Sequence, residues 1–122
     1  MANLPLPQTP LFLTRLRPRL DIHVFDQVAS TNQTLWTLAG ARAGTVAIAH
    51  TQTAGKGQRG KQWVSSPGGV YLSVMLEPDW PAERSAHLTF SSVWGIVSQF
   101  RNLGVAAQIK WPNDIVVRGQ KL

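Results

Sequence analysis

The sequence predicts an α+β fold, and three observations carry the prediction. Short apolar or alternating stretches of strand length recur at 20–25, 44–50, 70–77, 105–110 and 115–117. Two stretches carry the helical period instead: a short one behind Ser30-Thr31-Asn32 and a long one from about Ala82 to Leu103. Between the second and third extended stretches lies a glycine-rich basic segment, Gln52 to Trp63, that joins two strands rather than opening a helix.

Taken in order, residues 1–20 hold four of the eight prolines, at 5, 7, 10 and 18, and are expected to form an extended leader ahead of a domain at 21–122. Arg15, Arg17 and Arg19 cluster there and read as a solvated arm. Leu20 to Phe25 alternates before Asp26, as a half-buried strand does, with His23 on its solvent side. Ser30, Thr31 and Asn32 are residues whose side-chain oxygens accept the free amides of a helix's first turn. The helix behind them places Leu35, Trp36, Leu38 and Ala39 on one side and ends at Gly40. Three such residues exceed what one cap uses, so they are equally able to hydrogen-bond a small polar ligand. Gly44 to His50 is expected to be a buried strand, with Gln52 at its end. His50 has no second ligating side chain at metal spacing.

Val70 to Glu77 alternates cleanly, which predicts a strand with Val70, Leu72, Val74 and Leu76 facing the core, ended by Pro78 and Pro81. In the long helix, Val93, Ile96, Val97, Phe100 and Leu103 form one apolar stripe, and Gly104 stops it. Val105 to Lys110 returns as a strand. Pro112 holds Trp111 extended and Asn113-Asp114 favour a reversal, so Lys110 to Val117 reads as a hairpin. A turn at Arg118-Gly119-Gln120 follows, and Ile115–Val117 is expected to be left as an unpaired edge in a chain that reads as cut short.

The glycine-rich segment, with Gly55, Gly57 and Gly60 among Lys56, Arg59 and Lys61, suits an anionic, phosphate-bearing ligand. No carboxylate lies between Asp26 and Glu77 to offset those cations. Gly55-x-Gly57-x-x-Gly60 matches the dinucleotide fingerprint as a string, but Pro67-Gly68-Gly69 exclude the helix that must hold the pyrophosphate. Gln62 stands where a phosphate-binding P-loop needs a hydroxyl. On these residues alone the segment is a nucleotide-type site, a solvated connection, or an Arg/Gly segment holding RNA.

Composition narrows the classes. The 122 residues carry a net charge of +6 and no cysteine, which removes disulfides, thiolate nucleophiles and cysteine-based zinc sites. No apolar run reaches the roughly twenty residues of a membrane span, and Leu11-Phe12-Leu13 is too short for a signal peptide, so no membrane role and a cytoplasmic location are expected.

Together, Ser30-Thr31-Asn32, then Gln52-x-x-Gly55-Lys56-Gly57-Gln58-Arg59-Gly60-Lys61-x-Trp63-x-Ser65-x-Pro67, then Lys110-Trp111-Pro112-Asn113-Asp114 and Lys121-Leu122 resemble the biotin protein ligases, in order and spacing, from about Val24 to the last residue. The resemblance implies the front part of that family's catalytic domain, a mixed, largely antiparallel sheet with helices packed on one face. It implies ATP-dependent formation of biotinyl-5′-adenylate, helped by magnesium, and transfer of biotin to a lysine of a biotin carboxyl carrier protein. By similarity Ser30, Thr31, Asn32 and Gln52 hold the biotin rings, and Gly55, Lys56, Gly57 and Gln58 line the tail and carboxylate. Lys121 matches the lysine that contacts the reacting carboxyl and phosphate, with Lys110 and Arg59 as further catalytic cations. Lys56, Arg59, Lys61, Trp63, Asn113 and Asp114 match the nucleotide side, with Asp114 a candidate to organise either the magnesium or the loop.

The chain departs from the family's usual Gly-Arg-Gly-Arg-Arg-Gly-Arg loop: Lys56, Gln58 and Lys61 replace three arginines, and lysine lacks arginine's bidentate fork. The segment before Asp21 is too short for the repressor module of the bifunctional ligases, so DNA binding is not expected, while a homodimer is compatible. A lipoate ligase relative, a small basic nucleic-acid-binding protein and an inactive fragment packing on a partner chain are the competing readings.

Overall fold

The structure, a computed structural model, describes residues 19–38 and 40–122. The expected leader therefore lies outside the described residues except for Arg19 and Leu20, both exposed, and so do Arg15, Arg17 and Ala39. The chain forms two compact units, one ending at Glu77 and the other spanning Pro78–Leu122.

The first unit runs β1 (Asp21–Val28), α1 (Thr31–Thr37), β2 (Thr45–Lys56), a short 3-10 turn (Gln58–Gly60), β3 (Gln62–Ser65) and β4 (Tyr71–Val74). β1 and β2 are parallel, which requires a crossover, and α1 lies in it. β3 and β4 both pair antiparallel with β2, β3 along its C-terminal part and β4 along its N-terminal part.

Two expectations fail on this sheet. β2 is twelve residues long and runs through Gln52, Gly55 and Lys56, so Gln52 is not at a strand end but inside a strand, beside a bulge that separates it from Gly55. Leu72 and Val74 do not face the covered side: Val70 is 79% and Leu72 50% exposed, with Val74 and Leu76 also exposed. Alternation sets the period of a strand but not which of its faces is covered. α1 packs on the other face, where buried Ala47 and Ala49 are paired with half-buried Ser73 and Tyr71. The uncovered face carries Ile22, Val24, Leu72 and Val74 at matching register.

α1 buries Leu35, whereas Trp36 is 74% exposed, because consecutive helical residues point about 100° apart. Leu38 is half-buried and extended rather than helical, so the helix stops ahead of Gly40, which has a positive φ of 71°.

The second unit opens with a 3-10 turn (Ala82–Arg84), so the long helix α2 begins later than expected and spans Ala86–Asn102. It packs on an antiparallel sheet of β5 (Ala107–Lys110), β6 (Asp114–Val117) and β7 (Gln120–Lys121). Its core joins Val93 and Val97 to Ala107, with Phe100, Ile115 and Val117 against them. Of the expected stripe, Ile96 at 48% and Leu103 at 69% exposure fall outside this core. β6 is not an edge: it pairs with β5 on one side and β7 on the other, and the amide of Leu122 donates to the Ile115 carbonyl over 2.9 Å. Arg118 and Gly119, with φ of 52° and 75°, make the two-residue reversal that joins β6 to β7. Among the described residues no helix is long and apolar enough to cross a membrane.

Candidate functional site

In the first unit, the parallel register of β1 and β2 sets Val28 beside Gln52, and the Ala54 amide donates to the Ala29 carbonyl over 2.8 Å. The start of α1 is thereby held against the bulge of β2. Ser30 occupies the cap position with extended φ and ψ, and its carbonyl accepts the Thr34 amide at 2.9 Å, yet its side chain makes no capping bond. The first-turn amide is satisfied from elsewhere: Thr31 N–H donates to Oε1 of Gln52 over 2.7 Å. Nε2 of Gln52 donates to the Ser65 hydroxyl over 2.9 Å, and the hydroxyls of Thr31 and Ser73 are 2.9 Å apart.

Ser30, Thr31 and Ser65 are buried, and every buried side-chain nitrogen or oxygen among the described residues has a partner. A polar network satisfied in a low-dielectric setting holds its members in fixed orientation. Gln52 still has one amide hydrogen and one Oε1 lone pair beyond those two bonds, which a ligand carrying both a donor and an acceptor can use. Sequence reasoning quoted Ser65 only as part of a motif and left out Ser73. The signal was the small side chains at Ala47, Ala49 and Ser73, which leave room for a helix.

Gly55 is buried, and a Cβ there would lie 2.8 Å from both Ser65 Oγ and the Trp63 carbonyl. Its role is close approach, not a left-handed φ. Among the loop glycines only Gly60 has positive φ, at 74°; Gly57 stays extended, and the other left-handed residue is Arg59, at 58°. A non-glycine residue there costs on the order of 1 kcal/mol or more. The loop closes on itself through Gly57 N–H to the Lys61 carbonyl at 2.6 Å and Lys61 N–H to the Gln58 carbonyl at 3.3 Å. Lys56, Gln58, Arg59 and Lys61 are exposed, and among the described residues no ion pair engages the three cations. Asn32 is exposed at the second position of α1, and Trp63 is exposed on β3.

In the second unit the register sets Lys110 opposite Asp114 and Lys121 opposite Val116. Opposed residues and residues two apart share a face, so Lys110, Asp114 and Lys121 lie together, on the side away from Ala107, Ile115 and Val117. Lys121 Nζ is 2.8 Å from Asp114 Oδ1. Asn113 is exposed in the turn with Trp111, whose ring stacks on Phe90 at 4.5 Å beside an apolar hollow lined by Val93, Trp94, Ile109 and Pro112. The expected site residues thus gather into two groups, one in each unit: Ser30 to Trp63 and Lys110 to Lys121.

Residues 24–122 match the biotin/lipoate A/B protein ligase family. The chain is 38% identical over 100 residues to the bifunctional ligase/repressor BirA of Bacillus subtilis, an alignment covering 79% of this chain and 31% of that protein. It is 33% identical over 100 residues to the biotin–[acetyl-CoA-carboxylase] ligase of Paracoccus denitrificans, covering 76% of this chain and 40% of that protein. Among solved structures, the biotin protein ligase of Aquifex aeolicus in complex with biotin and ATP superposes with a TM-score of 0.63 at 27% identity, over 83% of this chain and 43% of that one. The chain therefore spans about a third to two fifths of the length of these curated relatives.

Proposed function

The chain belongs to the biotin/lipoate A/B protein ligase family, and we propose that it takes part in ATP-dependent protein biotinylation. In the first step the biotin carboxylate attacks the α-phosphate of ATP, giving biotinyl-5′-adenylate and pyrophosphate. In the second, a carrier lysine attacks the mixed anhydride, forming an amide and releasing AMP. The acceptor is a lysine of a biotin carboxyl carrier protein, and the setting is the cytoplasm. The family also includes lipoate ligases, but the Paracoccus relative and the Aquifex structure are named for biotin, and only the ligase part of the Bacillus relative's name enters the proposal.

One observation carries the reading: the Gln52 carboxamide is tied at both ends yet keeps one donor and one acceptor, on the strand that runs directly into the cationic loop. A strand rises about 3.3 Å per residue. The polar position and the cations therefore suit an elongated ligand with a urea ring at one end and a carboxylate at the other. Ser30, Thr31, Asn32 and Gln52 would take the ring, and Gly55 to Gln58 the tail and carboxylate. Two anions must meet in the first step, and within the first unit Lys56, Arg59 and Lys61 would offset their repulsion and the charge that grows on the phosphoryl oxygens. Trp63 would flank the adenine.

Magnesium belongs to the proposal as a companion of the nucleotide phosphates. A single half-buried carboxylate, Asp114, with no cluster of three ligating side chains among the described residues, fits an ion that keeps its waters and is held mainly by phosphate. When bound it would neutralise phosphate charge. Incubating the chain with biotin, ATP and magnesium and assaying by mass spectrometry should reveal biotinyl-5′-adenylate. No adenylate from a chain that binds both substrates would overturn the reading of the catalytic cations.

A further inference from the structure

The hydrogen bonds around Gln52 have a direction, and Ser65 sets it from one end. An N–H at Thr31 can only donate, so the end of the carboxamide that faces it must be Oε1, at 2.7 Å. The other end, Nε2, must then find an acceptor. A serine hydroxyl can accept or donate. At Ser65 its own hydrogen is directed to the Trp63 carbonyl, at 3.4 Å, which leaves the oxygen free to accept from Nε2 at 2.9 Å.

We propose that Ser65 is a positioning residue whose hydroxyl, directed by the Trp63 carbonyl, fixes the rotation of the Gln52 carboxamide so that its remaining donor and acceptor meet the urea group of biotin. The proposal deepens the ligase reading and rests on it for the identity of the ligand. Gly55 completes the device. Its missing Cβ would lie 2.8 Å from Ser65 Oγ and 3.1 Å from Gln52 Nε2, so Ser65 and Gln52 occupy space that any side chain at residue 55 would take. The cross-strand register of Gln52 with Ser65, next to the bulge, brings the two side chains together. Ser65 is itself buried, so water does not replace its hydroxyl readily.

The test uses the full chain and two readouts, the side-chain amide signals of Gln52 in a proton–nitrogen correlation spectrum and the biotin Kd by calorimetry. In the unaltered chain the Gln52 amide protons should exchange slowly and show a through-space contact to the Ser65 side chain. Ser65→Ala should abolish that contact and raise the biotin Kd about ten- to hundredfold. Ser65→Thr, which keeps the hydroxyl, should restore both, which a loss of packing alone would not produce. A Ser65→Ala chain with unchanged Gln52 signals and a Kd within twofold of the original would overturn the proposal. If the unaltered chain fails to bind biotin, the ligase reading falls, while the Gln52 signals still decide whether Ser65 orients the carboxamide.

Discussion

The backbone amide of Thr31, at the first turn of α1, donates to the side-chain carbonyl of Gln52 on β2 over 2.7 Å, across 21 residues of sequence. One bond thus caps a helix and orients a side chain expected to face a ligand. Replacing Gln52 with Ala leaves that buried amide unpaired, which costs about 1–3 kcal/mol. Urea denaturation of Gln52→Ala should show that loss of stability, and calorimetry should show biotin binding weakened at least about tenfold.

Gly55→Ala should be poorly tolerated and Gly60→Ala only mildly so, for different reasons. At Gly55 the added carbon meets Ser65 Oγ and a backbone carbonyl at 2.8 Å, so the strands must shift, at a cost of about 1–3 kcal/mol. At Gly60 nothing lies within 4 Å, and the cost is the positive φ alone, of order 1 kcal/mol. Thermal unfolding of the two variants should rank them in that order, and only Gly55→Ala should also lose biotin affinity.

Lys121 and Asp114 form a partly exposed pair, and exposed ion pairs contribute about 0–1 kcal/mol. Lys121→Met should accordingly leave the unfolding midpoint nearly unchanged while cutting adenylate formation about a hundredfold or more, the scale on which removing one transition-state charge partner acts. Equal losses of stability and of adenylate formation would assign Lys121 a structural role instead.

The basic loop Gly57–Lys61 is tied by two backbone hydrogen bonds and carries its cations into solvent. Hydrogen exchange at these amides should slow when biotin and ATP are added together, because closure over a reactive anhydride must exclude water. Exchange that is already slow without ligand and does not change would contradict this.

Gln58 stands where the family loop usually has arginine. Gln58→Arg restores a charge and a bidentate donor, and should slow release of the adenylate several-fold in a filter-retention assay. Arg59→Gly should separately raise stability by about 1 kcal/mol, since glycine adopts φ near 58° without strain, while weakening adenylate retention.

Much of this arrangement was legible in the residues. Strands β1, β4, β5 and β6, the N-terminal part of β2, the two helices, the stop at Gly104 and the reversal at Arg118-Gly119 follow from local rules of period and turn chemistry. By contrast, β3 and the far end of β2 lie in a segment that reads as a loop. The covered face of β4 did not follow, because Leu72 and Val74 carry the apolar alternation while α1 packs over Tyr71 and Ser73. Which face is covered depends on the neighbour and not on the strand's own pattern. The contact of Ser65 with Gln52 was hidden for a related reason: it depends on a β2–β3 register shifted by a bulge, which only the folded backbone sets. Thr31 and Gln52 were legible as site candidates one at a time, but not as partners of each other.

The central claim, that the first unit holds biotin through Gln52, is tested most directly by calorimetric titration of the chain with biotin at about 50 and 200 mM salt, beside a titration with a single-stranded oligonucleotide. The account predicts saturable one-to-one binding of biotin that barely responds to salt and is lost in Gln52→Ala. No heat with biotin, together with oligonucleotide binding that falls about a thousandfold over that salt range, would contradict it.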